Sequence, residues 1–125
     1  MKKLTDKEFD RIVRNAIHRI PLEIREHLDN IQISVRSRPS RKMMKDMDLP
    51  PEEALLGLFE GVPLNEQSIT NPPLFPSTIF IFQEPLQEIC DTIDELEKQI
   101  EITVVHEVAH AIGIEEDRLK ELGYG

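Results

Sequence analysis

From Leu86 to Gly113 the sequence keeps a helical period, and its last third is apolar on nearly every side. Leu86, Ile89, Ile93, Leu96 and Ile100 share one face, with Glu95, Glu97, Lys98 and Gln99 elsewhere, as in a surface helix. Asp91 or Thr92 can cap a fresh start inside this run, and Gly113 suits a left-handed C-terminal cap. Between Val104 and Ile114 only His106, Glu107 and His110 interrupt the apolar surface, so this section reads as interior. A buried polar group without a partner costs about 1–3 kcal/mol. The fold must therefore be built around this helix and must also satisfy those three side chains.

The remaining segments supply the other layers. Thr5 and Glu8 form a capping box ahead of Phe9, Ile12, Val13, Ala16, Ile17 and Ile20, which predicts a helix over 5–19. Pro21 can open a second, short helix with Leu22, Ile24 and Leu28 inward. Ile31, Ile33 and Val35 alternate with Gln32, Ser34 and Arg36, the period of a half-buried strand. Residues 37–50 read as a loop, 50–53 as one helical turn, 55–60 as a second strand and 61–77, with four prolines, as a long loop. Thr78–Phe82 is the strongest strand in the chain, and 115–122 can form a last short helix. Helices in front, strands in the middle and a long helix behind predict an α+β fold, a sheet of about three strands packed on helices. With 125 residues the chain is the size of one domain, 1–125.

The polar trio carries the chemistry. Positions i and i+4 lie on one helix face, about 6 Å apart at the backbone, so His106 and His110 can converge on one metal ion. Glu107 sits beside that ion without ligating it, placed to take a proton from water. H-E-x-x-H on a helix is thus a zinc (Zn2+) site with a built-in general base. By chance the pattern arises in roughly a few chains per thousand of this length, so a site is the stronger reading. Zinc that keeps a position open for water needs a third protein ligand. The other two histidines, His18 and His27, fall in the N-terminal helices and read as solvent-facing. Gly113 lets the chain turn three residues past His110, which brings Glu116 to the place of a third ligand, with Asp117 and Glu115 as neighbouring alternatives.

VVHEVAHAIGIEEDRLKELG (104–123), together with LLGLFEGVPL (55–64) and the strand–Pro–helix passage at 78–86, resembles the small bacterial zincin-like metallopeptidase family. The resemblance implies a minimal zincin: a short sheet, an active-site helix and peptide-bond hydrolysis. Members usually carry Asp where this chain has Glu116, and the Met-turn of the metzincins has no counterpart in 114–125. Zincins commonly hold a peptide against an exposed sheet edge. Here 55–60 is the expected edge, with Gly57 and Gly61 allowing close backbone approach. Tyr124, the only tyrosine, is either an oxyanion stabiliser or a surface residue. The competing reading is a zincin-like module that binds metal or protein without turnover.

Charge and cysteine content narrow the partners. A net charge of −9 disfavours nucleic acid. The basic cluster Arg36, Arg38, Arg41, Lys42 and Lys45 is a solvated loop or a docking patch for something acidic. The single cysteine, Cys90, falls in an apolar register and reads as a buried, inert thiol of a reducing compartment. No signal peptide or membrane-length apolar run is visible, so the expectation is a cytoplasmic protein with a peptide or protein substrate and no membrane partner.

Overall fold

The computed structural model describes residues 1–50, 52–61 and 77–124. Thr5 caps the first helix, α1 (Asp6–His18), with the full capping box: its hydroxyl accepts from the Glu8 N–H and Glu8 reaches back to the Thr5 N–H. Pro21 precedes α2 (Leu22–Arg25), which tightens into a 3-10 turn (Glu26–Asn30) and delivers the chain to β1 (Ile31–Arg36). The expected loop at 37–50 contains a short helix, α3 (Arg41–Asp46), because the Ser40 hydroxyl accepts from the Met43 N–H and caps it. Of the turn expected at 50–53, residue 51 lies outside the described residues, and the Glu53 N–H donates to the Pro50 carbonyl. Strand β2 spans Gly57–Glu60, two residues shorter than the expected 55–60. The proline-rich segment expected as a long loop lies largely outside the described residues.

Strand β3 (Ser77–Phe82) runs into α4 (Gln83–Glu88). Thr92, rather than Asp91, then caps α5 (Ile93–Ile112), and Gly113 closes it at φ 75°, a left-handed conformation that glycine adopts without strain. Helix α6 (Glu116–Glu121) follows.

The sheet order is β1-β3-β2, with β1 parallel and β2 antiparallel to the central β3. Ile79 and Ile81 turn to one side, where α1 and α5 pack; Phe9, Ile12, Ala16, Leu96, Ile100, Val104, Val105 and Val108 complete this main core. Phe80 and Phe82 turn to the other side with Leu58, against Met43 and Leu55. That is the α+β arrangement expected, with both faces of β3 covered.

Three apolar expectations fail, two of them, Ile89 and Ile93, for a common reason. Leu22, Ile89 and Ile93 are exposed. The break at 89–92 lets α4 and α5 take separate axes, so a face counted continuously across it has no structural meaning. Cys90, one residue from Ile89, takes the buried place instead, and burial raises its thiol pKa. Among the described residues no helix is long and apolar enough to cross a membrane.

Candidate metal centre

Helix α5 presents different chemistry to different neighbours, one turn apart. On the side facing β2, Thr103 and Glu107 stand at i and i+4. The edge strand comes so close that a Cβ added to Gly57 would lie 2.5 Å from Thr103 Cγ2 and 3.0 Å from the Phe80 carbonyl oxygen. The close approach that Gly57 permits is therefore to the helix. At this distance the Phe59 N–H donates to Glu107 Oε1 at 2.7 Å. Leu56 accepts from Phe82 through its carbonyl, so residues of even number in β2 bond toward β3 and the backbone groups of Gly57 and Phe59 point away from it. Glu107 thus occupies an outward N–H of the sheet edge.

The carboxyl of Glu107 is only 15% exposed. Burial pushes its pKa above the ordinary value, while the Phe59 N–H and the two neighbouring imidazoles pull it down; burial prevails. Glu107 Oε2 lies 3.5 Å from His110 Nδ1. His110 itself is largely in solvent, its side chain 70% exposed. Placing the whole trio in the interior is therefore wrong for His110: the apolar section of α5 buries Val104, Val105, Val108, Ala109 and Ala111 and leaves the polar side open.

His106 meets a different neighbour. Its Nε2 lies 2.9 Å from the Tyr124 carbonyl oxygen. A carbonyl only accepts, so Nε2 is the donor in this bond. Tyr124 is not a surface residue. It is buried, and its hydroxyl donates to Glu101 Oε2 at 2.5 Å. Burial and the Glu101 carboxylate together raise its pKa. Glu101, only 4% exposed, also lies 3.5 Å from Lys98 Nζ. Arg19 Nε is 3.1 Å from Glu101 Oε1, but without the alignment of a hydrogen bond, so that contact is an ion pair alone. The Tyr124 side chain and carbonyl together span from Glu101 to His106. A carboxylate set between Ile100 and Ile102, inside the apolar period, is the sequence signal for this anchor.

Glu116, Asp117 and Glu115 stand exposed at the start of α6. Arg118 ties that helix to α2 through both oxygens of Glu23, at 3.0 and 2.7 Å. His18 is exposed, as expected, and His27 is half-buried. Among the described residues no three of His, Cys, Asp and Glu converge closely enough to hold a metal ion. The structure brings His106, Glu107 and His110 together on α5 and does not bring Glu116 or Asp117 to them as a third ligand.

The donor set fits zinc in kind: two imidazoles one turn apart with a carboxylate between them. Ligation through His106 Nε2 requires giving up the Tyr124 carbonyl. A sequence model of the zincin-like metallopeptidase family matches residues 28–125, from the 3-10 turn to the end of the chain. No curated protein matches the chain.

Proposed function

The chain belongs to the zincin-like metallopeptidase family, and from that premise we propose that it is a zinc-dependent hydrolase of peptide bonds with Glu107 as general base. The observation that carries the reading is the placement of Glu107. One oxygen is fixed by the Phe59 N–H of the sheet edge, the other faces His110, and His106 flanks it on the same helix. His106 and His110 hold the metal in this reading, with Glu116 as third ligand and Asp117 as the alternative. Neither converges with the two histidines here.

Zinc, when bound, supplies Lewis acidity, polarising a carbonyl and acidifying water. Glu107 then has a defined task. Oε1 is engaged, so Oε2 receives the proton of the attacking water and later delivers it to the leaving amine. A carboxyl whose pKa is raised by burial is the better base for that exchange. Strand β2, at the edge of the sheet, offers a peptide substrate the outward backbone groups of Gly57 and the Phe59 carbonyl for strand addition.

Among the described residues no third ligand joins His106 and His110, which favours a second reading: a zincin-like module that binds without turnover. Metal analysis and zinc-dependent melting of the wild type, His110→Ala and Glu107→Gln, followed by a peptide-library digest, separate the two. The peptidase reading expects stoichiometric zinc in the wild type and Glu107→Gln, loss in His110→Ala, and cleavage by the wild type alone. Zinc without cleavage selects the binding module, and no zinc at all removes the hydrolase.

A further inference from the structure

We infer that Gly57 is a positioning residue for Glu107: its bare Cα, seated on the Thr103 methyl, sets how far the edge strand stands from α5 and so whether Phe59 can hold the base. The inference rests on Glu107 being the base.

Three observations combine. Glu107 is on a helix and Phe59 on the sheet edge, so the 2.7 Å bond between them depends on the strand-to-helix distance. That distance is at its limit at Gly57, where an added Cβ would lie 2.5 Å from Thr103 Cγ2, closer than carbon atoms pack. Thr103 is also not free to turn aside, because its hydroxyl donates to the Gln99 carbonyl at 2.8 Å. The same Cβ would lie 3.9 Å from Glu107 Cγ, an ordinary contact, so it disturbs Glu107 only by displacing the strand. A methyl at Gly57 therefore forces β2 away from α5 and pulls the Phe59 N–H off Oε1. The clash is with one identifiable carbon, so it can be relieved from the other side. Thr103→Ser deletes Cγ2 and keeps the hydroxyl bond.

The test uses the full chain labelled with 15N and reads the Phe59 amide by proton shift and hydrogen exchange. In the wild type that amide is expected at low field and protected, and in Glu107→Ala it loses both marks. Gly57→Ala should speed its exchange roughly tenfold, the loss of one hydrogen bond, while Leu58, which bonds toward β3, keeps its protection. Thr103→Ser alone should change little. Gly57→Ala with Thr103→Ser should recover most of the Phe59 protection; the Phe80 carbonyl, 3.0 Å from the new Cβ, keeps recovery partial. Unchanged exchange at Phe59 in Gly57→Ala overturns the inference, as does a double variant no better than the single. If Gly57→Ala fails to fold, the double variant decides: folded with a protected Phe59 amide supports it, unfolded overturns it. These readouts are independent of hydrolysis. Where cleavage is observed, Gly57→Ala should lower kcat by up to a hundredfold, roughly the effect of a 1 Å misplacement. The expected exchange pattern without any cleavage would leave the positioning intact and remove the peptidase.

Discussion

Glu101 and Glu107 lie six residues apart on α5, about 9 Å along its axis, and the helix treats them in opposite ways. Glu101 is nearly closed off and meets two cations and a phenol: Arg19, Lys98 and the Tyr124 hydroxyl. Glu107 is also withdrawn from water, yet among the described residues its only close donor is one backbone N–H, with imidazoles beside it that carry charge only when protonated. The first carboxylate is compensated and holds the Leu122–Tyr124 segment in place. The second is undercompensated, and burial shows in its raised pKa. A cluster that completes its own charge balance is built to hold structure, whereas one left short is open to an external cation or proton.

The largest expected effect tests the open side. Zinc at a hundredfold its Kd should stabilise the wild type by about 2.7 kcal/mol, seen as a rise in urea midpoint, and His110→Ala should remove the gain. A gain that survives in His110→Ala would break the contrast, because the cation would then be binding elsewhere. Next comes the closed side. Glu101→Ala leaves the buried Tyr124 hydroxyl without its acceptor and should cost about 2 kcal/mol in denaturant unfolding. The partial exposure of Arg19 and Lys98 keeps the ion pairs from adding much. Tyr124→Phe removes one hydrogen bond of the same cluster and should cost about 1 kcal/mol. An equal or larger loss in Tyr124→Phe than in Glu101→Ala would show that the phenol, not the carboxylate, organises the segment.

The smallest effect concerns pH. The pKa of Glu107 is raised above 4.5 in the folded state, so the folded chain holds its proton more tightly than the unfolded one. The resulting stability is fully present below 4.5 and is lost as pH rises through the folded pKa. Urea midpoints in chelator should therefore fall for the wild type over a window that opens near 4.5, and Glu107→Gln should lack that fall. A parallel fall in both proteins would assign the pH dependence to other groups.

Much of this was legible in one dimension. The capping box at Thr5 and Glu8, the alternation at 31–36, the apolar run at 78–82 and the glycine after Ile112 each act within a few residues, and each appears where the pattern places it. The helix at 41–46 was missed because its only mark is Ser40, a cap without an apolar period behind it. Ile89 and Ile93 were misplaced because a periodic count does not register the break between two helix axes. In the site, His106, Glu107 and His110 were legible because their spacing on one helix is fixed by the helix itself.

Contacts between distant segments were not. The bonds from Phe59 to Glu107, from Tyr124 to His106 and Glu101, and the seat of Gly57 on Thr103 join residues 18 to 48 positions apart. No local rule carries their distances. By itself the sequence determined the helix, its caps and the grouping of His106, Glu107 and His110 along it, since backbone geometry over one or two turns suffices for these. The tertiary structure alone decided which oxygen of Glu107 is engaged and which nitrogen of His106 meets the Tyr124 carbonyl. Those depend on where separately built elements come to rest against one another, and packing around the shared core sets that.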